Sequence, residues 1–282
     1  METRISSLTK EVIIGDGLPT VLIGERINPA GKKSMAEALK TGNFEVVRNE
    51  ALAQVQAGAD IIDVNTTLFG ADEAVILPKA VQTAMDAVDA PLCIDSANAA
   101  AVEAALKIYK GKPLINSVTG EEKSLAKVLP LVKEYKAAVV GLTQDDEGIP
   151  ANAERRVAIA RKIVERAEKE GISRENIIID CLALAVGANP ASGMIATETA
   201  RRIRAELGLN VTIAVSNISF GMPDRGLLNS AFAAAMIAAG ATCLIVDVAK
   251  LRPSVLAADL LMSRDKRARR YIDAFRYRQK QQ

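Results

Sequence analysis

Histidine occurs nowhere in the 282 residues. Its absence removes Ser-His-Asp and Cys-His machinery, metal sites built on two histidines, and a histidine ligand to cobalt or haem. Catalysis must then run on carboxylates, amides and hydroxyls. Long apolar runs are missing too. No stretch approaches the roughly 18 uncharged apolar residues of a membrane helix, and the N-terminal METRISSLTKEV lacks the apolar segment of a signal peptide. A cytoplasmic chain without a membrane partner is expected. Cysteine is scarce: Cys93, Cys181 and Cys243 are far apart, odd in number and set in apolar runs, so they read as small core residues rather than a disulfide framework. Neither sign of charge dominates, with 36 Lys and Arg against 34 Asp and Glu. The basic excess sits in the tail SRDKRARRYIDAFRYRQKQQ, which reads as a basic C-terminal helix over 264–282 with Ile272 and Phe275 on its apolar side. A solvated or subunit-contacting helix fits that pattern better than a nucleic-acid arm, because basic runs are common on helix surfaces.

Apolar residues make up 49% of the chain and charged residues 25%, a balance that supports a large buried core. The length is close to the roughly 250 residues of an α/β barrel, and no linker or low-complexity tract interrupts it, so residues 1–282 read as a single domain. Eight short apolar runs alternate with longer helical patterns: TVLIGE, ADIIDVN, PLCIDS, PLINS, AAVVGLT, NIIIDC, VTIAVSN and TCLIVDV, with helices near 45, 73, 99, 122, 152, 194, 226 and 254 onward. Gly171 and the Ser173–Asn176 turn mark the boundary before the sixth run. The runs are continuous in Val, Ile and Leu, as in strands covered by helices on one face and a barrel core on the other. The expected fold is α/β, a single (β/α)8 TIM barrel. Ahead of the first run, EVIIGDGLPTVLIG places two apolar segments around Asp16-Gly17. This reads as a hairpin within residues 1–19 whose first arm caps the barrel floor.

Polar residues collect where the apolar runs stop: Glu25 and Asn28, Asp63 and Asn65, Asp95 and Ser96, Asn116 and Ser117, Thr143, Asp180, Ser216 and Asn217, and Asp247. In a parallel barrel these C-terminal strand ends converge on one face, where active sites of this fold lie. Any single Asp or Asn there can equally cap the next helix. A complete ring of them, rich in Asp and Asn where Ser, Thr or Gly would cap as well, favours a site. Such carboxylates can hold Mg²⁺ or accept hydrogen bonds from a flat nitrogen heterocycle. An aminopyrimidinone edge offers parallel donors that a carboxylate accepts bidentately, and Asp95, Asn116 and Asp180 have the matching inventory.

The motifs GERIN (24–28), IDVN (62–65), CIDS (93–96), INS (115–117), IID (178–180) and SNISFGMPDR (216–225) together resemble the methyltetrahydrofolate:corrinoid methyltransferase family. That family's pterin-binding barrel, of dihydropteroate synthase-like type, also forms the folate module of cobalamin-dependent methionine synthase. The likeness spans nearly residues 20–262, and SNISFGMPDRGLLNSAFAAAMIAAG is its most specific block. By resemblance, Asp95, Asn116 and Asp180 hold the pterin ring, and Asn217 hydrogen-bonds the ring nitrogen that carries the methyl group. Glu25, Asn28, Asp63, Asn65, Ser216 and Arg225 line or support the pocket, with no metal ligand among them. The resemblance implies tetrahydrofolate or methyltetrahydrofolate as substrate and a homodimer. It also implies cobalamin as methyl partner, carried on a separate corrinoid protein, since the chain lacks the Asp-x-His-x-x-Gly motif of corrinoid-binding modules. The loops NPASGM (189–194) and SFGMPDR are candidate contacts for that partner. One departure is Cys181 after Asp180, where many relatives have Pro. Three other readings stay open. Dihydropteroate synthase would call for a Ser-x-Lys after the seventh strand. A Schiff-base aldolase would have only Lys250 to use. A protein that binds folate without reacting is the third.

Overall fold

A computed structural model describes residues 1–280. The chain opens with an antiparallel pair, β1 (Glu2–Ser6) and β2 (Glu11–Gly15). Eight parallel strands follow: β3 (Val21–Ile27), β4 (Ile61–Asn65), β5 (Leu92–Asp95), β6 (Leu114–Thr119), β7 (Ala138–Leu142), β8 (Ile177–Asp180), β9 (Asn210–Thr212) and β10 (Cys243–Val246). Each strand pairs with its sequence neighbour, and β10 pairs with β3. The remaining seam closes through Thr242 N–H to the Val211 carbonyl and Ile245 N–H to the Ile213 carbonyl, both at 3.0 Å. The expected (β/α)8 barrel is therefore present.

The strand alternation sorts side chains into two cores. Outward residues such as Leu22, Ile62, Ile94, Ile115, Val139 and Ile179 meet the helices. Inward residues Val21, Ile23, Ile61, Cys93, Leu114, Val140, Ile178, Cys243 and Ile245 fill the lower lumen together with Ile5, Val12 and Ile14. The N-terminal hairpin thus packs its apolar face against the barrel floor. Its turn is not where Asp16-Gly17 suggests, however. The reversal lies at Ser7–Lys10, and EVIIG pairs with ETRIS. VLIG is unavailable to it, because both edges of β3 are taken by β4 and β10.

The helices are α1 (Lys33–Lys40), α2 (Glu45–Ala57), α3 (Glu73–Ala87), α4 (Ala99–Leu106), α5 (Glu122–Glu134), α6 (Ala153–Lys169), α7 (Ser192–Arg202), α8 (Arg225–Ala238), α9 (Val248–Leu261) and α10 (Arg269–Gln279). None among the described residues is long and apolar enough to cross a membrane. The short α1 is absent from the sequence reading, and α9 begins at Val248, earlier than 254, with Pro253 inside it. The basic tail forms α10 over part of the expected range 264–282, of which 281–282 fall outside the described residues. All three cysteines are buried and free.

Candidate active site

Above the apolar lumen the same inward positions turn polar. The strand register aligns Asn65 with Asp95 and Asp95 with Asn116, forming one row across β4, β5 and β6. Beyond β7, Asp180 lines up with Leu142 on one side and Thr212 on the other. Asp63 sits one inward step below Asn65 and is 2% exposed. The sequence therefore brings Asp63, Asn65, Asp95, Asn116 and Asp180 to one end of one barrel.

Capping does not explain this polar layer. Helices α3, α4 and α6 are capped by Asp72, Asn98 and Asn152, whose side chains accept from backbone N–H groups. These residues lie in the loops beyond the strand ends. Asp95 instead accepts from Asn65 Nδ2 at 2.9 Å, while Asn65 Oδ1 accepts from Thr67 N–H at 2.9 Å. Asp180 Oδ1 accepts from Leu182 N–H at 2.7 Å, and its carbonyl takes the Thr143 hydroxyl at 3.0 Å. Asp63 Oδ1, Thr66 Oγ1 and Thr212 Oγ1 are buried without a hydrogen-bond partner among the described residues. Buried polar atoms are rarely left so.

Burial dominates the electrostatics. It pushes Asp180 up to about 7, opposed by the Leu182 N–H and the Arg156 charge. It pushes Asp95 up to about 6, opposed by the Asn65 hydrogen bond. Asp63 is raised well above the usual carboxylate range, by burial and then by the nearby Asp95 charge. Two adjacent carboxyls in a poorly solvated site do not both ionise, and the deeper one keeps the proton. Glu25 is also raised by burial, with Ser216 opposing.

The β3 end is shaped by a register shift between Gly24 and Ile27. Gly24 leaves room for the Gln54 carboxamide of α2, and Gln54 Oε1 accepts from Arg26 N–H at 2.9 Å. The shift sends Ile27 into the outer core. Glu25 keeps the inward phase and accepts from the Ser216 hydroxyl at 3.1 Å. Asn28 is taken up by a local turn, with Oδ1 accepting from Ala30 N–H at 2.8 Å.

The seventh barrel strand differs from expectation. β9 stops at Thr212, and Val215–Ser219 form a 3-10 turn, so Ser216 and Asn217 ride on that turn rather than on a strand end. Arg225, at the start of α8, donates Nε to Ser219 Oγ at 3.0 Å and Nη2 to the Ser216 carbonyl at 2.9 Å, while its guanidinium lies 6.0 Å from the Phe220 ring centroid. Arg225 thus braces the turn. Asn217 is exposed, and its side chain has no hydrogen bond among the described residues.

Two basic residues escaped the sequence reading. Lys32 donates to the Arg26 carbonyl at 2.5 Å, and burial lowers its pKa. Arg156 is completely buried on α6. Its signal was available: Arg156, Ala160, Ile163 and Ala167 share the helical spacing of the buried stripe. A cation in phase with a buried stripe needs acceptors inside the fold.

Comparison with known proteins agrees with this fold. The pterin binding enzyme family matches residues 24–247. A methylcorrinoid:tetrahydrofolate methyltransferase of Eubacterium limosum is 32% identical over 266 residues, covering 91% of this chain and 96% of that protein. A methionine synthase of Mycobacterium tuberculosis is 29% identical over 89% of this chain, which spans 22% of that protein. Among solved structures, the Yersinia pestis dihydropteroate synthase with a pterine-sulfa conjugate superimposes with a TM-score of 0.71 at 16% identity, covering 93% of this chain and 100% of that one. At that identity the likeness concerns the fold alone. The chain belongs to the pterin-binding enzymes, within the methyltetrahydrofolate:corrinoid methyltransferase family.

Proposed function

We propose that this protein moves a methyl group between N5 of tetrahydrofolate and a cobalt corrinoid carried on a separate protein. The observation that carries the reading is the row Asn65–Asp95–Asn116 facing Asp180 over an apolar lumen. It supplies two carboxyls and two amides in a place where helix capping does not use them. A pterin presents an amino group, ring N–H groups and an oxo group along one edge. Asp95 and Asp180 accept the donors, and Asn116 both donates and accepts.

Asn217 is the catalytic residue in this reading. A tertiary amine leaves poorly unless its nitrogen gains positive charge, and an amide oxygen placed beside that nitrogen stabilises the charge as it develops. Ser216, Glu25 and Arg225 hold the turn that carries it, while Asn28, Asp63 and Asn65 support the pocket. The bound corrinoid supplies cobalt as methyl acceptor or donor. With no histidine in the chain, a protein ligand of that type would come from the corrinoid protein. The name of the 32% identical relative supports this chemistry. A homodimer in the cytoplasm, with NPASGM and SFGMPDR meeting the corrinoid protein, completes the proposal. Dihydropteroate synthesis is less well supported, because SNIS stands at 216–219 where that enzyme's Ser-x-Lys is expected.

The test mixes the purified protein anaerobically with tetrahydrofolate and methylcobalamin and follows cob(I)alamin by its absorbance. Wild type is expected to form it, and a chain that only binds folate is not. Asn217→Ala should slow the transfer by roughly 10²–10³-fold, the scale of losing one positioned charge-stabilising group, with tetrahydrofolate affinity within a few-fold. An unchanged rate removes Asn217 from the chemistry.

A further inference from the structure

The Asp180 carboxyl is aimed by a turn that would not hold itself. Leu182 has φ of +53°, a region that a branched aliphatic residue occupies only when its surroundings impose it. In that conformation the Leu182 N–H reaches Asp180 Oδ1 at 2.7 Å. The buried Arg156 grips this turn. All three of its hydrogen bonds go to backbone carbonyls: Nε to Pro150 at 2.9 Å, and Nη1 to Cys181 and Leu182, both at 2.7 Å. One planar cation thus ties the loop before α6 to the turn after β8. Guanidinium is suited to this, because its donors are fixed in a plane and its charge survives burial. Elsewhere on the same helix, Lys162 donates to the Gly120 carbonyl at 2.6 Å, so α6 also braces the loop after β6.

We propose that Arg156 is a positioning residue for the pterin pocket: by holding the Cys181 and Leu182 carbonyls it fixes the turn that orients the Asp180 carboxyl toward the ligand's N–H donors. The proposal rests on the reading of the mouth as a pterin site. Arg156 touches neither ligand nor reacting atom, so its effect passes entirely through Asp180. Its charge also opposes the upward push of burial on that carboxyl.

The experiment compares wild type with Arg156→Lys, Arg156→Met, Asp180→Asn and the double variant Arg156→Lys/Asp180→Asn. Two readouts are taken: anaerobic tetrahydrofolate affinity by calorimetry, and titration of the Asp180 carboxyl by carbon NMR in the ligand-free protein. Arg156→Met is expected to weaken tetrahydrofolate binding by about tenfold, the scale of one hydrogen bond to a charged group, and to move the Asp180 titration upward. Arg156→Lys, which keeps the charge but not the fork, should lose less affinity and shift the titration less. If Arg156→Met melts below the assay temperature, Arg156→Lys and the double variant carry the comparison. The loss from Arg156→Lys should largely vanish in the Asp180→Asn background. An arginine that does not position Asp180 would leave the titration in place in Arg156→Lys, which keeps the charge, and that variant would cost the same affinity in both backgrounds; that result overturns the proposal. Wild type that binds no tetrahydrofolate overturns the pterin reading itself, and this inference with it.

Discussion

The two ends of the barrel treat a buried carboxyl differently. Toward the floor, Asp259 is fully buried and accepts from Thr20 N–H at 2.9 Å and the Thr20 hydroxyl at 2.6 Å, with Arg270 at 3.4 Å. At the same end, Ile5, Val12 and Ile14 close the lumen, and Asn210 Nδ2 donates to Thr3 Oγ1 at 2.9 Å and the Ile14 carbonyl at 3.0 Å, while its Oδ1 has no partner among the described residues. Toward the mouth, among the described residues, Asp63 Oδ1 has no partner, Asp95 accepts from a single amide, and Asp180 from one backbone N–H. Both ends raise their carboxyls by burial, but at the floor the protein supplies the opposing donors itself. A fold that can saturate Asp259 and leaves Asp95 and Asp180 short of donors is built to receive donors from outside.

The largest effects should come from removing one member of the mouth. Asp180 rises from about 3.9 in an unfolded chain to about 7. The folded state therefore holds a proton that the unfolded state releases. Stability is lost as pH rises from about 4 to 7 and stays lost above, by up to about 4 kcal/mol. Asp180→Asn should accordingly unfold at higher urea than wild type at pH 8, with the gap closing toward pH 4, while tetrahydrofolate affinity falls at least about a hundredfold through two lost charge-assisted bonds. Equal stability of the two proteins at pH 8 would mean that Asp180 is an ordinary structural carboxylate. The converse change belongs to the floor. Ile14→Ala opens a cavity beneath the lumen and should cost about 3 kcal/mol by urea unfolding, with tetrahydrofolate affinity within twofold. A parallel loss of affinity would show that floor and mouth are not independent.

A smaller effect follows from pH alone. Both carboxyls must be ionised to accept from the pterin, so affinity should be flat at pH 8, fall as Asp180 takes up its proton near 7, and fall more steeply below about 6 as Asp95 follows. Between pH 8 and pH 6 the loss should be about twentyfold, measured by calorimetry across the range. Asp95→Asn should remove the lower step and keep the upper. A profile without either step would mean that the ligand takes its hydrogen bonds elsewhere.

How much of this was legible in the sequence depends on how local the cause is. The eight barrel strands were readable because burial on both faces makes them continuous apolar runs, and the polar residue closing each run marked the mouth. The hairpin is not legible locally, because Asp16-Gly17 looks like a turn between two strands. Only the long-range pairing of β3 with β4 and β10 shows that VLIG is committed elsewhere. The seventh strand is shorter than its pattern for a similar reason: VTIAVSN is apolar apart from Thr212 until Ser216, yet β9 ends at Thr212 and Val215–Ser219 coil into a 3-10 turn braced by Arg225. Arg156 looked like one more charge in a charged helix, and its partners lie on loops that no local pattern connects to it.

The smallest expected effect separates two jobs of one residue. Asn65 donates to Asp95 and accepts from Thr67 N–H, so it serves both the pocket and the loop after β4. Asn65→Ala removes the bond that opposes burial at Asp95. The Asp95 titration should then move upward from about 6, and tetrahydrofolate affinity at pH 7 should fall roughly threefold to tenfold. If Asp95 carries the effect, the loss shrinks at pH 8.5, where the carboxyl is ionised in both proteins. If the loop carries it, the loss is the same at both pH values, because the Thr67 bond does not titrate. Calorimetry at the two pH values therefore decides whether the donor deficit at the mouth is tuned by Asn65 or is indifferent to it.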